Sequence, residues 1–192
     1  NDERKAINEA IRSALVAQQY VASIGLEHQI LIRRDLTPAQ LRDARSYHEG
    51  DVLYFRRGSK RQQIPKGAYL TVNQVSDHTL TLTGENGRPL EFDPGTLNAT
   101  QAYSTESRII AVGDRLQWRE PDNQRRIANG EYATIAKLGQ NQIEVRLDKG
   151  RKLSMPLADA RKVDLGYAST SHAAQGATVD RVLVNIDSSR SA

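Results

Sequence analysis

Cysteine is absent from the chain. Disulfides, thiolate metal sites and cysteine nucleophiles are excluded with it, and the absence fits a reducing cytoplasm. Long apolar runs are missing too. Nothing approaches the roughly 18 residues needed to span a bilayer, so membrane insertion is not expected. The opening Asn1-Asp2-Glu3-Arg4-Lys5 has no apolar stretch behind a basic start, hence no secretory signal. It also has no initiator Met, and reads as the start of a processed or excised segment. No Gly-x-x-x-x-Gly-Lys-Ser/Thr run occurs, so a phosphate-cradling P-loop is excluded, and no paired-carboxylate motif for magnesium stands out. No catalytic residue, cofactor or metal is therefore assigned to this segment.

What remains is a soluble globular profile. Of 192 residues, 38% are hydrophobic and 26% charged. Lys plus Arg outnumber Asp plus Glu by 27 to 23, a net charge of +4. A surplus this small permits nucleic-acid binding without arguing for it, so the distribution of charge matters more than its total.

Along the chain, residues 2–18 read as a helix. Ala6, Ile7, Ala10, Ile11, Ala14 and Leu15 form the expected packing face, and Arg4, Asn8, Glu9 and Arg12 the opposite one. Residues 28–33 read as a short strand. Thr37-Pro38-Ala39-Gln40 has the form of a capping box with proline at the first helical position, and predicts a short helix to about Ser46. From Gly50 the texture becomes strands of five to eight residues broken by Gly, Asn, Asp and Pro: 51–56, 69–75, 79–83 and 88–92. Residues 165–171 and 179–186 read as buried strands flanking a polar, Gly-containing link.

The β texture repeats. A shift of 63 residues lays Gly50-Asp51 on Gly113-Asp114, Leu53 on Leu116, Phe55 on Trp118 and Ile64 on Ile127. Gly67 meets Gly130, Tyr69 meets Tyr132, Leu80 and Leu82 meet Ile143 and Val145, and Gly87-Arg88 meets Gly150-Arg151, with no gap. Turn glycines and alternating apolar residues match together, which points to a structural duplication. Each unit has the size of an SH3-like five-stranded barrel. Units this small are marginal alone and are expected to pack on each other or on their flanks.

One basic cluster stands out. Arg56, Arg57, Lys60, Arg61 and Lys66 fall in a stretch without an acid, whereas the matching stretch of the second unit mixes Arg125 and Arg126 with Glu120 and Asp122. Such a run is often plain solvated surface. Its functional reading is a phosphate-tracking clamp around single-stranded DNA. Phe55 and Trp118 are repeat-equivalent and belong to barrel cores, which leaves Tyr54, on the opposite strand face, as the stacking candidate.

Residues 167–180, with the core Thr170-Ser171-His172-Ala173-Ala174-Gln175-Gly176-Ala177-Thr178, closely resemble motif V of superfamily-1 helicases of the RecD-like branch. The opening segment, with Arg4, Asn8, Ile11 and Arg12, resembles the start of the second half of the second RecA-like domain in that branch. Two barrels between these segments look most like the helicase part of conjugative relaxase-helicases of the TraI/TrwC type. The resemblance implies a mainly β chain, with two tandem SH3-like barrels inserted into a partial RecA-like α/β layer formed by the chain ends. The expected divisions are 1–34 for the first RecA-like piece, 35–48 for a helical linker, 49–100 and 101–162 for the barrels, and 163–192 for the return to the layer.

It further implies that Thr170, His172, Gln175, Gly176 and Thr178 contact the DNA strand, and that Gln175, Gly176 and Arg4 couple this contact to nucleotide state. Residue types agree: small hydroxyls and a glycine expose backbone N–H groups to phosphate, and Gln175 both donates and accepts. ATP and magnesium are expected for the parent protein, as are single-stranded DNA as partner, 5′ to 3′ movement and a monomeric chain. One alternative is a protein-recognition module, a translocation signal presenting the relaxase to a type IV secretion coupling protein, with the parent exported to a recipient cell. A weaker one is a RecD-type repair helicase fragment.

Overall fold

The computed structural model describes residues 2–84, 87–96 and 101–169. Among them the chain is mainly β. Helix α1 (Asp2–Ala17) is followed by β1 (Leu26–Arg33), two short 3-10 turns (Gln40–Arg42, Ala44–Ser46), β2 (Val52–Phe55), β3 (Ala68–Val75), β4 (Leu80–Thr83) and β5 (Pro89–Phe92). Then come β6 (Gln101–Ile110), β7 (Arg115–Trp118), β8 (Tyr132–Leu138), β9 (Gln142–Leu147), β10 (Lys152–Pro156), a 3-10 turn (Leu157–Lys162) and β11 (Val163–Leu165). One antiparallel sheet has the order β1-β6-β2-β3-β4-β5 and the other β10-β9-β8-β7-β11. Neither ladder closes on itself, so both sheets are open.

The two sheets match element by element at the 63-residue offset. β2 overlies β7 end to end. A bulge between Val72 and Gln74 has its counterpart between Ile135 and Lys137. The bridge Ser59↔Ile64 has its counterpart in Asp122↔Ile127. Gln63 and Arg126, at equivalent loop positions, share a left-handed backbone with φ of 54° and 53°. The cores correspond as well: Leu53, Phe55, Ile64, Val72, Leu80, Leu82 and Phe92 fill the first, and Leu116, Trp118, Ile127, Ile135, Ile143, Val145 and Met155 the second. Alternation along each strand sends these side chains to one face.

β6 joins the units. Its first residues pair with β2 in the first sheet, the stretch from Tyr103 on pairs with β1 from Arg33↔Tyr103 to Leu26↔Ile110, and Ile110 ends in the second core. The Ser-Thr-Glu-Ser-Arg run from residue 104 to 108 has no strand signal of its own; pairing with β1 makes it a strand.

Three local expectations change. The capping box forms, with the Thr37 N–H donating to Gln40 Oε1 at 2.9 Å and the Gln40 N–H to Thr37 Oγ1 at 3.3 Å. No α-helix follows, because Asp43 is extended (φ −107°, ψ 116°) and its carboxylate caps a second short turn through the Arg45 N–H at 3.0 Å. The strand expected over 165–171 stops at Leu165, and residues 166–169 are irregular. Helix α1 turns the other way round: Ala6, Ala10, Ile11 and Ala14 are exposed, while Arg4, Asn8 and Arg12 face the second sheet. The buried carboxylates Asp114 and Asp164 lie on that sheet and cannot be left unpaired, so they draw the polar face inward.

Candidate nucleic-acid interface

The loop between β2 and β3 is pinned rather than slack. Ser59 and Ile64 exchange backbone hydrogen bonds of 2.8 and 2.9 Å, the Gly67 N–H donates to the Phe55 carbonyl at 2.8 Å, and Ile64 is buried in the first core. This scaffold holds Arg56, Arg57, Lys60, Arg61 and Lys66 at the surface, all exposed. Arg57, Lys60, Arg61 and Lys66 make no ion pair among the described residues.

The second copy of this loop has the same backbone and a different charge state. Asp122 replaces Ser59, is buried, and accepts from the Arg125 backbone N–H at 3.1 Å and from Arg125 Nη1 at 2.8 Å. Arg125 Nη2 also reaches Asp159 at 2.5 Å. Burial alone raises the Asp122 carboxyl; the bonds from Arg125 outweigh it and hold the group below the ordinary carboxylate range. Where the first loop presents five cations and no acid, the second pairs Arg125 with Asp122 and Asp159 and leaves Arg126 exposed.

Tyr54 is half-buried on the face opposite Phe55 and stacks on Tyr69, with centroids 4.7 Å apart and planes tilted by 32°. Tyr69 in turn lies 6.2 Å from Tyr103 and has Lys162 Nζ 5.1 Å from its ring centroid. Phe55 and Trp118 are buried core residues. The cation recorded against this aromatic set is Lys162, of the 3-10 turn Leu157–Lys162.

The expected strand-contact residues Thr170, His172, Gln175, Gly176 and Thr178 lie outside the described residues. The approach to them is described. Arg4 Nη2 binds Asp164 Oδ2 at 2.8 Å, so its guanidinium is engaged by a carboxylate, and Arg108 Nε lies 3.5 Å from the other oxygen. Arg12 Nε donates to both oxygens of the fully buried Asp114 at 3.0 and 2.9 Å. Asp114 also accepts the Tyr167 hydroxyl at 2.7 Å and the Ala111 N–H at 2.7 Å. Burial raises the Tyr167 hydroxyl pKa, so it stays a donor. Between the two arginines, Asn8 is buried against the backbone of residues 167 and 168. The sequence reading missed this clamp, although three polar residues spaced four apart on one helix were its signal.

No protein-family model matches the chain. Two curated proteins are similar over part of it. One is described as the ATP-dependent DNA helicase Pif1 of Bdellovibrio bacteriovorus, 34% identical over 90 residues, covering 39% of this chain and 20% of that protein. The other is described as the probable conjugal transfer protein TraA of Sinorhizobium fredii, 30% identical over 95 residues, covering 47% of this chain and 9% of that protein. The chain thus spans a fifth or less of the length of these relatives. At a general level the two similarities support a helicase- or conjugation-related chain.

Proposed function

We propose that this chain is the strand-engaging part of an ATP-driven DNA helicase of the conjugative relaxase-helicase type, and that it holds single-stranded DNA while the parent moves plasmid DNA during transfer. The observation that carries the reading is the contrast between the two loops: one scaffold, used twice, holds five exposed cations and no acid in the first copy, whereas the second carries Glu120 and Asp122, pairs Arg125 with Asp122 and Asp159, and leaves Arg126 exposed. A scaffold that merely needed solubility would not separate charge in this way. Tyr54, backed by Tyr69, adds a surface on which a base can stack.

Each unit carries five strands, with the fifth, reached through a turn or 3-10 segment, returning beside the first. That order supports SH3-like barrels. The exposed apolar face of α1 supports its membership of a larger α/β layer. ATP and magnesium are assigned to the parent protein, because the sequence has no P-loop. In the strand-contact reading, residues 170–178 supply neutral hydrogen bonds and the loop supplies charge. The partial similarity to a conjugal transfer protein also favours a second reading, in which the barrels present the parent to a type IV secretion coupling protein.

The test exchanges the first loop's cations for the second copy's own residues: Arg57→Glu, Lys60→Asn and Arg61→Gln together. The loop scaffold already accepts these residues, so folding should persist. Affinity for a labelled oligothymidylate is expected to fall more than tenfold. Unchanged affinity would contradict the nucleic-acid reading and leave protein recognition.

A further inference from the structure

The first sheet has a second face, turned away from its core. On it, Tyr54 of β2 lies across from Tyr69 of β3 and from Gln101 of β6, and Tyr103 of β6 lies across from Val52 of β2 and from Arg33 of β1. Residues opposite one another in a ladder share a face, so these side chains stand together. Tyr103 is buried with Leu31 and Val52 and forms the floor. Tyr54 and Tyr69 pack on it and stay half-buried, which leaves part of each ring open. A cation borders this aromatic set on each side. Lys162, from the second unit, places its Nζ 5.1 Å from the Tyr69 ring centroid. Arg33, exposed at the end of β1, lies across from Tyr103 and reaches the Gln101 amide with its guanidinium. Neither cation makes an ion pair among the described residues. The two carboxylates near Tyr69 are otherwise engaged, Asp122 by Arg125 and Glu120 by the Tyr103 hydroxyl.

We propose that Tyr54 and Tyr69, flanked by Arg33 and Lys162, form a stacking track for single-stranded DNA that continues from the first loop onto the second unit. The proposal rests on the reading that the loop holds a single strand. Open aromatic rings between uncompensated cations match what a single strand presents: every base has a flat face to stack, and every nucleotide a phosphate to neutralise. The position fits as well, since Tyr54 precedes Arg56, the first cation of the loop, by two residues on the same chain. The two kinds of contact separate by experiment. Arg33 and Lys162 act through phosphate charge and set part of the slope of affinity against salt. Tyr54 acts through stacking, which adds affinity and leaves the slope unchanged.

The 192-residue chain is titrated with labelled oligothymidylate over a range of salt. Arg33→Gln with Lys162→Gln is expected to reduce the slope of log affinity against log salt by about 1.4, as for two lost phosphate contacts on a single strand. Arg33→Lys with Lys162→Arg keeps both charges and is expected to keep the wild-type slope. Tyr54→Leu is expected to bind about tenfold more weakly with the wild-type slope, and Tyr54→Phe, which keeps the ring, to bind as wild type. A Lys162 that merely joined the two units would lower the thermal midpoint on replacement and leave the slope alone. A wild-type slope in the double glutamine variant overturns the proposal, as does wild-type affinity in Tyr54→Leu. A chain whose slope falls on exchange of the loop cations but not of Arg33 and Lys162 keeps the strand-holding reading and loses the track. Absence of binding by the wild-type chain overturns both.

Discussion

Asp51 and Asp114 occupy the same place in the two copies, directly after a left-handed glycine, and each closes its turn by accepting a backbone N–H: His48 at 2.9 Å for Asp51 and Ala111 at 2.7 Å for Asp114. Each also receives an arginine from a preceding element, Arg34 in the first copy and Arg12 in the second. Removing one partner of a buried pair leaves the other charge uncompensated. Asp114→Ala strands Arg12 and the Tyr167 hydroxyl together, and is expected to lower unfolding free energy by about 3–5 kcal/mol in urea denaturation; a loss under about 1 kcal/mol would contradict the clamp.

The glycines ahead of these aspartates separate two costs. Gly50 has φ of 87° with open space where a Cβ would stand, whereas Gly113 has φ of 93° with the Tyr20 carbonyl 2.5 Å from that point. Gly50→Ala carries only the left-handed penalty, about 1–2 kcal/mol. Gly113→Ala adds a collision with the chain leaving α1. Urea midpoints should rank wild type, Gly50→Ala, Gly113→Ala in falling order, and equal midpoints would show that α1 and its exit are not seated on the second unit.

Among the elements, β1 meets the 3-10 turn at 157–162 through His28, which is buried and hydrogen-bonded to the Ala160 backbone. Its Nε2 has no partner among the described residues. Burial, with the nearby Arg161 charge adding to it, pushes the imidazole below its ordinary 6.5. The folded state thus resists protonation that the unfolded chain accepts. Stability from this group is complete above about pH 6.5 and is lost as pH falls from there through the lowered folded value. His28→Gln should remove that part of the decline, seen as a flatter thermal midpoint between pH 7 and pH 5; parallel profiles would place His28 in solvent.

How much of these elements was legible depends on where their shape originates. Strands β2 to β5 and β7 to β10 could be located from alternation and turn residues, because their own side chains decide which face is buried. β6 could not, since its middle is polar and only β1 makes it a strand. The Thr37–Gln40 cap was legible and its continuation was not, because Asp43 offers its carboxylate to the backbone two residues on. The face of α1 was misread for a similar reason: the helix carries a plausible apolar stripe, but the buried acids that claim its polar side are more than a hundred residues away in sequence. Within the candidate site, the cationic loop was visible as composition. The burial of Asp122 and its pairing with Arg125 in the matching loop required the structure.

At the scale of the molecule, a duplicated scaffold serves two purposes. The second copy seats α1 and the segment leading to residue 170, and engages Arg125 of its loop with Asp122 and Asp159. The first copy is carried beside it on the β1–β6 ribbon, and keeps its loop basic and open. The central claim, that this loop grips a phosphate backbone, is tested most directly by the salt dependence of oligothymidylate binding. Plotted as log affinity against log salt concentration, the Arg57→Glu, Lys60→Asn, Arg61→Gln exchange should reduce the slope by about 2 relative to wild type, as expected for three lost phosphate contacts on a single strand. Identical slopes for the two proteins would contradict it.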